Sequence, residues 1–451
     1  MTPQLLARYA DRPLPRYTSY PTAPHFSAGF GDADYRGWLA ALPAAQPVSI
    51  YVHVPFCRVM CWYCGCNTSV TRRETPVERY LDALQAEMTM VAKALPSRLP
   101  ARFVHFGGGT PTLIPPTRFL ETMERIRSGF ALSDDAEVAI EIDPRTLEPE
   151  MVAALAQGGV NRASLGVQSF DPTVQRAINR VQSFEQTMAA ADRLRAAGIT
   201  DINFDLIYGL PHQTVASCID TVERAVTLRP DRLSVFGYAH VPSFKPHQRK
   251  IDQAALPGGG ERHAQAQAIA AALRAAGYVQ VGLDHFALPD DSLAKAQAVG
   301  MLHRNFQGYT TDPCETLIGF GASSIGRLPQ GYVQNAVIAG DYERRIEAGQ
   351  LAAIKGRAFA GEDRLRAAII ERIMCDYRAD LDDLCGRFGA DAEALLEAAE
   401  PALEPLIADG IARREGHLVS VPEDAQPLVR VLAAAFDQYL GQGPARHSRA
   451  V

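Results

Sequence analysis

SIYVHVPFCRVMCWYCGCN, residues 49–67, is the stretch on which the fold turns. Its first six residues, SIYVHV (49–54), are a short apolar run with β-branched and aromatic side chains, and they read as a strand. Just beyond it, four cysteines fall within ten positions: Cys57, Cys61, Cys64 and Cys66, spaced C-x3-C-x2-C-x-C. A strand that runs straight into a loop of thiols carries those thiols at its C-terminal end.

The same strand signature recurs downstream at RFVHF (102–106), VAIEI (138–142), RASLGV (162–167), INFDLIYG (202–209) and LSVFGY (233–238). Helical stretches lie between them, near 117–127, 183–197, 214–228 and 261–276. The clearest begins at Thr75, a predicted N-cap, with Pro76 at the first helical position and Glu78 completing a capping box. Val77, Tyr80, Leu81, Leu84, Met88 and Val91 then form a helical stripe, and Gly198 and Gly277 are natural stops for two later helices. Alternation of short apolar strands with helices predicts a parallel sheet covered by helices. Six such units favour a closed or nearly closed barrel, the α/β fold class of a partial TIM-type (β/α) barrel, although periodicity does not settle closure. In such barrels chemistry sits at the C-terminal strand ends.

The barrel is expected over 46–355. Residues 1–45, rich in Pro, Tyr and Arg, read as an irregular lead-in packed on something else. Residues 356–451 read as a smaller, helix-rich domain in which GIARREGHLVSV (410–421) forms a hairpin turning near Gly416.

Composition narrows the function classes. The chain has 451 residues, 45 basic and 51 acidic, for a formal charge of −6, with 47% hydrophobic and 21% charged residues. That usage excludes a disordered chain, a collagen-like chain and a basic nucleic-acid coat, so no nucleic-acid partner is expected. No uncharged apolar run approaches the ~20 residues of a membrane span, and MTPQLLARYADRPLP lacks a signal-peptide core. The expected address is the cytoplasm. In a reducing compartment the cysteine cluster reads as metal-binding or catalytic, and the scattered Cys218, Cys314, Cys375 and Cys385 as core filler.

Zinc sites pair two knuckles separated by a dozen or more residues, and no second knuckle occurs here. Ferredoxins space their thiolates differently. Three close thiolates on one loop can hold three irons of a cubane and leave the fourth iron open, which makes a reaction site. A structural zinc protein with an inert barrel stays the competing reading.

C-x3-C-x2-C with Tyr63 before the third cysteine resembles the radical SAM superfamily. PRYTSYPTA (15–23), YVHVPFC (51–57), CGCN (64–67), HFGGGTPT (105–112), EIDPR (141–145), GVQSF (166–170), FDLIYGLP (204–211), YAHVP (238–242), LHRNFQGYTT (302–311) and IGFGASSIG (318–326) extend the likeness. Across nearly the whole chain the sequence resembles the oxygen-independent coproporphyrinogen III oxidase family. Two departures, Ser169 in place of an acid and Gly237 in place of a polar residue, touch no expected ligand.

The resemblance implies a radical SAM barrel in which Cys57, Cys61 and Cys64 ligate a [4Fe-4S] cluster whose open iron is chelated by S-adenosylmethionine. One electron would cleave the sulfonium to a 5′-deoxyadenosyl radical. That radical would abstract a β-hydrogen from a propionate, and loss of CO2 and one electron would leave a vinyl group. Two propionates of coproporphyrinogen III would react, giving protoporphyrinogen IX. A flavodoxin-like electron donor, a final electron acceptor and a monomeric state are implied with it. Gly108, Gly109 and Thr110 in GGGTP would contact the methionine part of the cofactor. Glu141, Gln168, Arg180 and Asp205 match cofactor-contacting positions, and Tyr51, Tyr63, Ala239 and Ile325 complete the set. A second S-adenosylmethionine would lie near Gln168, Arg180, Asp205, Ala239, Gln307 and Ile325.

Cys66 is part of the oxidase motif and is carried over as catalytic; the related haem-chaperone branch lacks it. Residue chemistry is compatible with these roles, since an acid inside an apolar strand, as at Glu141 and Asp205, is costly without a partner. A structural ion pair is the alternative for each. Arg16, Tyr17, Tyr20, His303 and Arg304 are candidates for the substrate's carboxylates and ring, with surface charge and aromatic packing as their alternative. His53 reads as a barrel-interior side chain rather than a metal ligand. Residues 1–30 are expected to fold over the pocket, so removing 1–25 should abolish turnover and leave the cluster in place.

Overall fold

The computed structural model describes residues 12–442 together with Leu5, Arg8 and Tyr9. Positions 1–4, 6, 7, 10 and 11 of the lead-in and 443–451 of the C-terminal region lie outside the described residues.

Six parallel strands succeed one another in chain order: β1 (Val48–Val54), β2 (Pro100–Gly108), β3 (Ala131–Ile142), β4 (Arg162–Gln168), β5 (Asp201–Tyr208) and β6 (Arg232–Gly237). Each occupies its expected place, and each neighbours the next, as in a barrel. Beyond β6 the sheet adds β7 (Val279–Val281) and β8 (His285–Ala287), both antiparallel. Beyond β1 it adds β9 (Thr316–Phe320), parallel to β1, and then antiparallel β10 (Ile325–Leu328), β11 (Gly331–Asn335) and β12 (Ala353–Ala358). Twelve strands form one curved sheet ending in β12 and β7, which do not pair with each other among the described residues. The barrel is therefore partial.

Helices cover the sheet: α1 (Asp32–Ala40), α2 (Thr75–Ala94), α3 (Pro116–Gly129), α4 (Pro149–Gly158), α5 (Phe184–Ala196), α6 (Val215–Thr227), α7 (Gly259–Ala275) and α8 (Ala339–Glu347). The expected stripe of α2 is its buried face. Its expected capping box does not form. Glu74 already has helical dihedrals and stands at the N-cap, so Thr75 lacks the extended backbone a capping side chain needs. Boxes do form at Ser183 with Gln186 and at Thr214 with Ser217, opening α5 and α6.

The lead-in is not irregular throughout. Tyr35 and Leu39, one turn apart on α1, are buried in the main core with the sheet. Leu14, Tyr17 and Tyr20 join a second core with α9 (Asp363–Asp376), α10 (Leu381–Phe388), α11 (Ala392–Ala408) and α12 (Val429–Ala434). The expected hairpin pairs Arg413–Glu415 with Leu418–Ser420 through Gly416 at φ +61°, and Arg378–Asp380 adds a third strand.

Glu87 on α2 is fully buried and accepts from Gly321 N (2.7 Å), Tyr342 Oη (2.7 Å) and Asn335 Nδ2 (2.6 Å), tying α2 to the β9–β10 loop, β11 and α8. Burial lifts its pKa to about 7 against the pull of those donors. A folded pKa above the unfolded one contributes stability below pH ~4.5 that is lost as pH rises through 7, a swing of about 3 kcal/mol. Glu87→Gln removes that dependence. Urea unfolding at pH 5 and pH 8 should show the variant gaining about 3 kcal/mol on the parent between the two. A constant difference would mean that Glu87 is ionised at both.

Candidate active site

Every strand β1 to β6 ends on the same side, so the cysteine loop, Gly108–Thr110, Asp143–Arg145, Gln168 and Tyr238–Ala239 share one end of the sheet. Phe56–Cys57 pairs in parallel with Ser69–Val70, closing the cysteine loop at its base. The loop's carbonyls are held from outside. Asn179 Nδ2 donates to Met60 O (2.9 Å), Gln248 Nε2 to Tyr63 O (3.0 Å), His247 Nε2 to Cys64 O (2.8 Å) and Lys245 Nζ to Cys66 O (2.9 Å).

The sulfurs meet donors only of the kind a thiolate accepts. Thr68 and Thr110 hydroxyls lie 3.2 and 3.5 Å from Cys57 Sγ, and Arg180 and Arg145 guanidiniums 3.5 and 3.7 Å from Cys61 Sγ. Burial raises the Cys57 pKa, opposed by its two threonines. A hydrogen bond from Cys66 brings Cys64 down to about 7. The same bond, seen from the other side, pushes Cys66 up, and Cys66 is exposed on a cavity of about 1770 Å³. Among the described residues no three His, Cys, Asp or Glu side chains converge on one ion. A cubane takes one thiolate per iron at separate corners, and cationic donors on the sulfurs offset the charge of such a cluster. The donor set therefore fits an iron–sulfur cluster.

Arg180, expected to contact the cofactor, is also engaged within the protein. Its guanidinium lies 3.4 Å from Asp143, donates to Gly166 O (2.6 Å) and braces Cys61. Arg145 pairs with the same Asp143 at 2.6 Å. Burial pushes the Asp143 carboxyl up, and the two arginines more than reverse it. The motif EIDPR marks this segment in the sequence, yet nothing in the motif alone assigns a role to Asp143 or Arg145.

Gly108, at φ +118°, donates its N–H to Glu141 Oε2 (3.0 Å). A Cβ at Gly109 would stand 2.5 Å from Phe56 O and 2.6 Å from Thr68 Oγ1. The glycines thus let this turn lie directly against the cysteine loop, whatever ligand it also meets. Gly109→Ala should displace Phe56–Cys57, and iron content after reconstitution is expected to fall several-fold. Full iron loading would show that the loop absorbs the methyl group.

Glu141 also lies 3.4 Å from His105 Nε2; burial raises its pKa, but His105 and the Gly108 amide hold it below the ordinary carboxylate range. Asp205 accepts from Ser164 Oγ (2.8 Å) and Asn203 Nδ2 (2.9 Å), and burial pushes its pKa up. Both carboxylates line a cleft of about 190 Å³ with Gln307 and His285. Gln307 and His285 also line a cavity of about 1770 Å³ that reaches Cys66 and Ala239. Gln168 ends β4 with φ +67°, a strained conformation for a residue other than glycine. Ile325 lines neither space; its backbone lies against Gly319, the partner of Tyr51 in the ladder. Tyr63 packs beside Trp62 on a small core with Tyr238.

His53 is no metal ligand. Its Nε2 donates to Asn67 O (2.9 Å), so the neutral ring accepts from Tyr51 Oη at Nδ1 (3.0 Å), and burial lowers its pKa. Of the substrate candidates, Arg16 and Arg304 line the large cavity. Tyr17 and Tyr20 do not: both rings are buried, with hydroxyls on Asp437 Oδ2 (3.1 Å) and Gln438 N (3.0 Å). His303 faces Glu371 at 3.4 Å.

The Radical SAM superfamily pattern matches residues 51–225. An oxygen-independent coproporphyrinogen III oxidase of Bradyrhizobium diazoefficiens is 58% identical over 451 residues, covering 100% of both chains. The chain belongs to the oxygen-independent coproporphyrinogen III oxidase family. A member from Paracoccus denitrificans is 43% identical, covering 98% of this chain and 97% of its own. The solved structure of coproporphyrinogen III oxidase from Escherichia coli, a radical SAM enzyme, superposes with a TM-score of 0.90 at 39% identity, covering 94% of this chain and 97% of that one. Membership in this oxidase family implies a [4Fe-4S] cluster and S-adenosylmethionine, and it displaces the zinc reading. No helix among the described residues is long and apolar enough to cross a membrane.

Proposed function

We infer that this chain oxidatively decarboxylates two propionate side chains of coproporphyrinogen III to vinyl groups, giving protoporphyrinogen IX without dioxygen, a step of haem biosynthesis. One observation carries the reading: in a chain 58% identical from end to end to a named oxidase, Cys66 stands beside a three-thiol loop and opens on a cavity of about 1770 Å³.

Cys57, Cys61 and Cys64 would hold the cluster, leaving one iron for S-adenosylmethionine. When bound, cluster and S-adenosylmethionine together supply a one-electron cleavage and a carbon radical able to take a propionate β-hydrogen. The chain's own residues position and shield. Gly108, Gly109 and Thr110 offer backbone at close range, and Tyr51 and Tyr63 offer ring and backbone contact. Glu141, ionised, accepts from amine or hydroxyl groups, as Asp205 does. Gln168, Arg180, Asp205, Ala239, Gln307 and Ile325 mark the neighbourhood we assign to a second S-adenosylmethionine. Cys66 opens on the cavity beside the loop, where its thiol can meet the substrate. Each reacting propionate gives up one hydrogen, CO2 and one electron, so a one-electron acceptor is required.

A flavodoxin-like electron donor would supply the reducing electron. We further propose that residues 1–45 cover the pocket of a barrel spanning 46–355, that 356–451 form a separate module, and that the enzyme works as a cytoplasmic monomer. Anaerobic incubation with coproporphyrinogen III, S-adenosylmethionine and a reductant, followed by porphyrin fluorescence and mass, tests the activity. The expected product has lost two CO2. Stoichiometric haem binding with no mass change would reverse the assignment.

A further inference from the structure

The large cavity is lined by six arginines and three carboxylates. Three of those arginines come from separate stretches of chain and influence one another. Arg430, buried on α12, donates to Leu14 O and to Pro15 O (2.9 Å), which fixes the chain just before Arg16. Tyr17, at φ +48° and bonded to Asp437, fixes it just after. Arg16 is thereby held out into the cavity. Arg304, from the short strand His303–Asn305, lies 4.4 Å over the Tyr309 ring and reaches the Arg16 carbonyl at 3.4 Å. Its Nε and Nη1 are buried and have no hydrogen-bond partner among the described residues.

Guanidiniums crowd at this wall. Burial, then Arg16 and Arg304, bring Arg430 down to about 10, an unusual value for a guanidinium. The acid acting on both Arg304 and Arg430 is Asp284, whose Oδ1 is committed to His285 Nδ1 at 2.8 Å. Buried guanidinium N–H groups without an acceptor, as on Arg304, are costly, and a guanidinium that borders a cavity is a favoured partner for a carboxylate.

We propose that Arg16, Arg304 and Arg430 form the seat of a propionate carboxylate that the reaction leaves intact. The proposal rests on the functional reading of the site and names how that site holds its substrate. The seat is built from the N-terminal segment, a loop strand and the C-terminal helices. None of the three arginines lies on the loops that follow β1 to β6, where Cys66 stands. A tetracarboxylate whose reacting side chain points toward Cys66 therefore reaches this wall with another of its four carboxylates. Occupancy also stitches the N-terminal segment to the C-terminal helices.

The test uses coproporphyrin III, the aromatic and unreactive form with all four carboxylates, and its tetramethyl ester. The full-length, cluster-loaded enzyme should bind the acid well above the ester by fluorescence titration. Arg304→Gln and Arg16→Gln should each weaken the acid roughly 10- to 100-fold and leave the ester nearly unchanged, compressing the ratio. Arg387→Gln, at an exposed side chain of α10, should leave both alone. Loss of affinity for acid and ester alike, or parental ratios in both variants of an enzyme that still turns over coproporphyrinogen III, would overturn the assignment. A parent that leaves coproporphyrinogen III unchanged would sink the functional reading and this seat with it.

Discussion

Cys66→Ser is expected to keep the iron–sulfur chromophore and lose product, whereas Cys64→Ser is expected to lose both. Only Gly65 separates the two, and their thiols interact, yet their surroundings differ. Cys64 is half-buried and is drawn toward the thiolate by Cys66, Lys245 and Arg180. Cys66 is exposed on the large cavity, and its pKa is raised by Cys64. A thiolate within the loop ligates iron, whereas a thiol that faces the cavity is placed to meet the substrate. Serine preserves size and a hydrogen bond but gives up hydrogen far less readily than a thiol, so product formation should drop roughly 100-fold or more. Iron and sulfide per chain, visible absorption and product mass, all from anaerobic protein, separate the cases. Iron lost in both variants would make Cys66 structural.

Much of this arrangement is legible in the linear sequence, for identifiable reasons. The six strands announce themselves because each is an apolar run between helical stripes, and the cysteine loop because thiols at that density have no other explanation. Closure is not legible, since it depends on whether β12 and β7 meet across space. The helix α4 goes unread even though Pro149 and Gly159, the latter left-handed at φ +86°, bracket it. With ten residues, Ala-rich and largely buried, it shows little amphipathic contrast. Tyr17 and Tyr20 look like ring-binding aromatics because exposure is invisible in composition. The Asp143–Arg145–Arg180 assembly escapes because two of its members are neighbours and the third is 35 residues away, so their meeting is a product of β3 and β4 lying side by side.

Two arginine assemblies thus serve one chemistry in opposite ways. Arg145 and Arg180 share the single carboxylate of Asp143 and shore up a sulfur. Their guanidiniums are directed at groups of the protein, a carboxylate, a carbonyl and a thiol. Arg304 keeps two buried guanidinium nitrogens without an acceptor among the described residues, and together with Arg16 and Arg430 it turns its charge toward a space large enough for a macrocycle. An acidic chain of formal charge −6 has little general attraction for a tetra-anion, so a local concentration of guanidinium must supply it.

Removing residues 1–25 is expected to abolish turnover while iron content stays at the parental level, and the packing shows that more than a cover is lost. The main core that supports the cysteine loop begins at Tyr35 and contains none of the deleted residues. The second core contains Leu14, Tyr17 and Tyr20, all buried. Stripping three such side chains, at about 2–4 kcal/mol each, approaches the whole stability of an ordinary domain. Arg430 would lose both carbonyls it grips, and Asp437 its tyrosine. Thermal unfolding of the truncated protein should therefore show an early transition absent from the parent, with the iron chromophore surviving it. Turnover should be gone below that transition as well as above it, because Arg16 and the cavity wall that Arg430 positions leave together. Sustained product formation by the truncated enzyme would mean that the segment is neither cover nor wall, and that substrate is held by the barrel alone.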